Sequence, residues 1–332
     1  MERAGTKMKR KVLVFGAGVI GAYLAHVLIK AGNDVTILAR EERAKSLNKN
    51  GLVIYHHLQK KTTKNKVKAV TDVDGLSFDA TFVVMPYHKL KSALPTIRTF
   101  NTKLLVLVGN DLSPAEILKD MKENAPEIKK ILFGFQVSGG KKEEKSFVCE
   151  RLGASWMDIG QLHGETDARL KKWVENLFKG TKYKINWQGD MENYLICHPA
   201  EILPIGYLSY ICGGDLRKST RSQRKDMFDA SREAFDFLRT RGITVYPKGE
   251  DKFYGSGARS KVMKFLYYIM AKSVVGDLIA CEHCRNAVSE MEQIDMFYTD
   301  FLKDCPSAKL KAWNRLKAQM PSWDELHRIY GN

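Results

Sequence analysis

The stretch Lys11-Val-Leu-Val-Phe-Gly16-Ala-Gly18-Val-Ile-Gly21 decides how the first half of the chain folds. Lys11 to Phe15 is a short apolar run of strand length and Gly16 to Gly21 is a turn spelled G-x-G-x-x-G. Ala22 to Lys30 has helical spacing, with Leu24, Val27 and Leu28 on one face, and Gly32 and Asn33, which tolerate positive φ, end the helix. Strand, glycine turn and helix in this order are the context in which the motif binds a dinucleotide. Gly16 permits the tight turn, Gly18 lets backbone approach a pyrophosphate, and Gly21 lets helix and strand pack closely. The N–H groups at the helix start, around Val19 and Ile20, would meet the phosphates.

Downstream, Asp34 to Ala39 is a second strand, Glu41 to Lys49 a polar helix and Gly51 to Ala69 a hairpin. A strand follows at Ala80 to Met85, a helix near Leu90 to Ile97 and a strand at Lys103 to Val108. Strands alternating with helices imply βαβ units and a mostly parallel sheet. Ser113-x-x-Glu116 reads as a capping box that starts a helix at Pro114. Glu127 to Trp187 reads as short strands and turns, and the pattern from Asp190 to residue 328 is almost wholly helical. The boundary is placed near residue 188, giving domains 1–188 and 189–332.

The end of the second strand bears on the cofactor. A site for NAD usually carries an acidic residue there to accept the ribose hydroxyls. This chain has Leu38-Ala39-Arg40, with Arg43 a turn later, and a cation suits the 2′-phosphate of NADP. The alternative is that Arg40 merely faces water or Glu41 and Glu42. Asn110 stands at the carboxyl end of a buried-looking strand, where open α/β sheets bind ligands, and Pro86-Tyr87-His88 approaches the same rim. Asn110 as a plain turn residue and His88 as a plain loop residue are the competing readings.

The remaining text excludes several classes. At 44% hydrophobic and 28% charged, the 332 residues read as globular rather than disordered. Six cysteines are too few for a disulfide framework, and no apolar run reaches the roughly 18 residues of a membrane span. The basic, then apolar, N-terminus is broken by glycines that suit a strand–turn–helix better than a signal peptide. The expectation is a cytoplasmic protein. Cys281-Glu-His-Cys284 lacks a second pair and falls on a helix, so it reads as packing, with no metal site. No nucleophile elbow of a hydrolase is present. The net charge of +16 favours anionic partners. The lysine-rich stretch Gln59–Lys68 reads as a solvated hairpin, against a dedicated phosphate or nucleic-acid patch. Arg217–Lys225 and Lys309–Lys317 lack the aromatic interleaving of a nucleic-acid platform. Neither nucleic acid nor membrane is expected as a partner.

Three segments resemble the ketopantoate reductases, the 2-dehydropantoate 2-reductases of pantothenate biosynthesis. They are the N-terminal fingerprint, Leu104-Leu-Val-Leu-Val-Gly-Asn110-Asp, and Glu290-Met-Glu-Gln-Ile. The resemblance implies an N-terminal Rossmann-type doubly wound sheet followed by an all-helical C-terminal domain that serves substrate and dimerisation. It matches Asn110 to an asparagine near nicotinamide and substrate, and Glu290 to a glutamate that holds a substrate hydroxyl. The family's catalytic lysine falls in Tyr194-Leu-Ile-Cys-His198-Pro-Ala-Glu201, where Ile196 takes its place and His198 stands near the family's asparagine. No lysine occurs between Lys184 and Lys218. His198, with an ordinary pKa near 6.5, is the candidate acid, Tyr194 shares its helix face, and the competing reading is that His198 marks a helix start before Pro199.

These expectations combine into an NADP-dependent oxidoreductase that reduces the ketone of a small 2-oxo acid to a hydroxy acid, with a homodimer allowed for. Two alternatives stand beside it: a reductase of a different oxo acid or imine, and a non-catalytic NADP-binding regulator of the same fold.

Overall fold

The computed structural model describes residues 9–273, 276 and 280–331. The first eight residues of the basic N-terminus lie outside them. The chain divides into two compact units, Met1–Gly109 with Ser113–Gly189, and Asn110–Leu112 with Asp190–Asn332.

The first unit is built on an eight-stranded sheet. Its strands are β1 (Lys11–Phe15), β2 (Asp34–Leu38), β3 (Lys68–Val70), β4 (Ala80–Val84), β5 (Leu105–Val108), β6 (Ile131–Gln136), β7 (Trp156–Gly160) and β8 (Lys184–Trp187). The spatial order β3-β2-β1-β4-β5-β6 is parallel throughout and is the 3-2-1-4-5-6 order of dinucleotide-binding sheets. β7 joins β6 antiparallel, and β8 continues parallel to β7. Val12, Leu13 and Val14 of β1 have no exposed surface, which explains their continuous apolar run: a central parallel strand is covered on both faces. Helices α1 (Val19–Lys30), α2 (Glu41–Asn50), α3 (Tyr87–Arg98), α4 (Pro114–Asn124) and α5 (Ala168–Leu177) belong to this unit.

A smaller sheet pairs Leu52–His56 with Lys61–Asn65 as the hairpin read from the sequence, and adds Phe147–Glu150 and Gly139–Lys142. Two local readings need correction. The third helix starts at Tyr87, not near Leu90. The fourth starts at Pro114, but Ser113 makes no capping hydrogen bond; its hydroxyl instead meets that of Tyr87. A tertiary partner has replaced the local one.

The second unit is helical: α6 (Met191–Ile211), α7 (Arg221–Thr240), α8 (Ala258–Ala271), α9 (Glu282–Asn286), α10 (Val288–Leu302), α11 (Lys311–Gln319) and α12 (Trp323–Tyr330). The Asp190 side chain caps α6 by accepting from the Asn193 amide, and the helix runs on through Pro199 and Pro204. The residues before Pro199 are therefore helical, and His198 does not mark a helix start. α6 packs against α7, α10 and α11. On α10, the buried Asp295 carboxylate accepts from the Tyr207 hydroxyl, from Lys317 Nζ at 2.8 Å and from Trp323 Nε1 at 3.0 Å. Three other helices thus fix the helix that carries Glu290.

Candidate active site

The glycine turn can be tested atom by atom. Gly16 has φ +116°, and a Cβ there would lie 2.1 Å from the Val84 carbonyl oxygen at the end of β4. A Cβ on Gly21 would lie 2.0 Å from the Gly16 carbonyl oxygen. Both positions exclude a side chain because backbone fills the space. Gly18 differs, since nothing of the protein lies within 4 Å of its would-be Cβ. Gly18 is the N-cap of α1, no side chain caps that end, and the first turn carries no acidic residue. Ala22 is the first residue whose amide bonds back into the turn, to Gly18 at 2.8 Å, so the amides around Val19 and Ile20 keep the orientation an anion needs. Gln136, buried on β6, holds this turn in place by donating from Nε2 to the Ile20 carbonyl at 3.2 Å, while its Oε1 accepts from Tyr183 at 2.9 Å. No local motif marks Gln136.

Arg40 is the exposed N-cap residue of α2, just past β2. Its side chain makes no hydrogen bond, ion pair or ring contact among the described residues. Glu41 and Glu42 are engaged by Lys45 at 2.7 and 3.8 Å and do not hold it. Arg43 is committed elsewhere: it donates to the carbonyls of Glu143 and Glu144 and lies over the Phe147 ring at 4.9 Å, and burial lowers its pKa. Of the two arginines, only Arg40 is available to a ligand. An open cradle of main-chain amides at the start of α1 fits the pyrophosphate of a dinucleotide.

In the second unit, Asn110 Nδ2 donates to Glu290 Oε1 at 2.7 Å across 180 positions of sequence. Both residues are half-buried, and Glu290 stands in the first turn of α10. Asn110 Oδ1 and Glu290 Oε2 take no other partner among the described residues, so the pair presents two acceptor oxygens.

His198 and Tyr194 lie on one face of α6, their rings nearly parallel with centroids 6.4 Å apart. Burial, reinforced by the nearby His283, pushes the His198 pKa down to about 4. The ring is therefore neutral at pH 7, which makes it a proton acceptor there rather than the ready donor its ordinary pKa suggests. His283 belongs to Cys281-Glu-His-Cys284, whose two cysteines are buried and form no disulfide among the described residues. One turn beyond His198, Glu201 accepts from the Tyr254 hydroxyl at 2.8 Å, and burial pushes its carboxyl up. That pair, 53 residues apart, has no sequence signature.

Residues 12–164 match the ketopantoate reductase PanE/ApbA family. The matched segment thus covers most of the first unit, including the glycine turn and Arg40, and also Asn110 of the second unit. The chain is 26% identical over 184 residues to the uncharacterized oxidoreductase YkpB of Bacillus subtilis, a stretch covering 55% of this chain and 58% of that one. It spans about half the length of the curated relatives it matches. Among solved structures, it resembles a 2-dehydropantoate 2-reductase from Geobacter metallireducens (TM-score 0.69, 15% identity, 93% of this chain and 99% of that one). A D-mandelate dehydrogenase solved with NADH and anilino(oxo)acetate is similar at TM-score 0.68 and 15% identity, over 96% and 99% of the two chains. At such identities the likeness is one of fold: a Rossmann-like parallel sheet followed by a helical region, as in the ketopantoate reductases.

Proposed function

We propose that this chain is an NADP-dependent oxidoreductase that reduces the ketone of a small anionic 2-oxo acid, 2-dehydropantoate or a relative, to a hydroxy acid. The observation that carries the reading is the Asn110–Glu290 hydrogen bond, because it leaves an amide oxygen and a carboxylate oxygen to accept from a substrate hydroxyl. A relative named an oxidoreductase and the family match over residues 12–164 support the reaction class. The Gly16–Gly21 turn would hold the cofactor pyrophosphate and Arg40 its 2′-phosphate. A bound nicotinamide supplies hydride chemistry. His198 would exchange the proton with the substrate oxygen. Its low pKa makes its charged form scarce above about pH 4, so kcat/KM for reduction falls as pH rises from there. His198→Gln should abolish that slope; a mutant that keeps both rate and profile would remove His198 from the reaction.

A second reading is favoured by the same histidine. With no lysine between Lys184 and Lys218 and His198 neutral, the fold also suits an NADP-binding regulator without turnover. NADPH oxidation measured against a panel of 2-oxo acids separates the two. Turnover of any of them supports the reductase; tight NADPH binding with turnover of none supports the regulator.

A further inference from the structure

The outward face of α8 is apolar. Val262, Phe265, Leu266 and Ile269 recur at i, i+3, i+4 and i+7 and are 58, 62, 51 and 49% exposed. Ser260, Tyr267 and Ala271 form the buried side. A surface helix normally does the reverse and turns its apolar stripe to the core. A contiguous apolar ridge kept in water marks an interaction site.

Cations rim the ridge. Arg259, Lys261 and Lys264 lie on α8, Lys272 caps it, and the segment from Ala258 to Lys272 contains no Asp or Glu. The basic stretch Arg217-Lys-Ser-Thr-Arg-Ser-Gln-Arg-Lys225, remote in sequence, packs beside it. The Arg224 guanidinium lies 5.1 Å over the Tyr268 ring, Lys272 Nζ donates to the Arg217 carbonyl, and Lys264 Nζ lies 5.6 Å over Phe228 of α7. Two acids beside this surface, Asp215 and Asp229, are already used. Asp215 pairs with Arg217 at 2.8 Å, and Asp229 with Arg232 at 2.8 Å and with Lys225. Lys218, Arg221, Arg259 and Lys261 form no ion pair among the described residues.

We propose that α8 and the adjoining Arg217–Lys225 stretch form a docking surface for an anionic lipid bilayer. Val262, Phe265, Leu266 and Ile269 would enter the headgroup–acyl boundary while the surrounding cations meet lipid phosphates. Helices that lie in the membrane interface combine these two features, an apolar face and Lys/Arg facing anionic headgroups. Charge complementarity selects this occupant over a second copy of the chain, since a two-fold contact along α8 sets the same cations against each other with no acid on the helix to pair them. The surface departs from the sequence expectation of no membrane partner, because neither the ridge's exposure nor its closeness to Arg217–Lys225 is visible in the linear text. Peripheral contact needs no spanning segment, and among the described residues no helix is long and apolar enough to cross a membrane.

The test is co-sedimentation of the full chain with vesicles of phosphatidylcholine alone and of phosphatidylcholine with phosphatidylglycerol in equal parts. Binding is expected to the mixed vesicles only, and to weaken as salt rises. The double variant Phe265→Glu/Ile269→Glu should bind at least about tenfold more weakly, since it puts charge where apolar surface enters the interface. Lys261→Gln and Arg221→Gln should each cost about fivefold. All four side chains lie at the surface, so unchanged thermal melting is expected to show that each variant folds. Failure of the wild type to sediment with mixed vesicles overturns the proposal, as does undiminished binding by the double variant. So does light scattering that shows a dimer, split by the double variant, with no vesicle binding.

Discussion

In the first unit, neighbouring residues from Gly16 to Gly21 make a cradle out of main chain, and the side chains they lack matter most. In the second unit, Asn110 and Glu290 are brought together from far-apart positions, and the side chains they carry matter most. A backbone site fails when an atom is added; a side-chain site fails when one is removed. The two regions should therefore respond to mutation in different ways: in the first, cofactor affinity falls, taking stability with it where backbone already fills the space of the added atom, and in the second turnover moves alone.

The largest effect is expected at Gly21. With the Gly16 carbonyl oxygen 2.0 Å from the would-be Cβ, Gly21→Ala must displace helix or strand. We expect a loss of about 3 kcal/mol or more in urea unfolding, together with loss of NADPH binding by calorimetry. Gly18→Ala, which meets open space, should keep the stability and lose only the binding. If Gly21→Ala and Gly18→Ala have equal melts, the backbone account of this site breaks.

The next effect concerns acid. His56 is buried in the smaller sheet, where its Nδ1 meets Arg151 at 3.2 Å and its Nε2 meets Thr63 Oγ1 at 2.8 Å. Burial first, and then the Arg151 charge, hold its pKa down to about 4. A histidine whose folded pKa is depressed binds more protons unfolded than folded, so its contribution is complete above about pH 6.5 and is lost as pH falls from there toward 4. The loss should reach up to about 3 kcal/mol by pH 4. Unfolding measured across this window should show a slope that His56→Gln flattens. An unchanged slope in the mutant would assign the acid sensitivity to His26 or to His198, whose pKa values are lowered in the same direction.

Glu290→Ala sharpens the comparison from the other side. It removes the partner of Asn110 and the acceptor for substrate, so kcat/KM should fall about 10²-fold with NADPH affinity and melting unchanged. Parallel loss of NADPH affinity would mean that Glu290 serves the cofactor. The smallest effect is at Arg40, which makes no contact with another side chain among the described residues. Arg40→Ala should weaken NADPH about tenfold and leave NADH untouched; equal weakening of both would remove the 2′-phosphate from its role.

Much of the first unit is legible in the linear sequence. The apolar run Lys11–Phe15, the glycine spacing and the Asp34 strand each carry a local physical reason, and β1, α1 and β2 fall within a few residues of where those reasons put them. Local reasoning fails where a distant partner outcompetes a near one. Ser113 and Glu116 spell a capping box, yet the Ser113 hydroxyl goes to Tyr87. Gln136 under the turn, and Glu201 with Tyr254, carry no local signal because each acts on a residue remote in sequence.

By itself the sequence determined that the chain opens with a dinucleotide-type strand–turn–helix, that Arg40 stands where an acid usually does, and that the later half is helical. These follow from short-range causes: φ freedom at glycine, apolar periodicity and the identity of one residue at a strand end. Only the tertiary structure decided that Arg40 is unengaged among the described residues while Arg43 is committed, that Asn110 meets Glu290, that His198 is neutral at pH 7, and that the ridge of α8 faces water. Each of these depends on what else occupies the surrounding space, and burial, desolvation and pairing are properties of that space rather than of the residue.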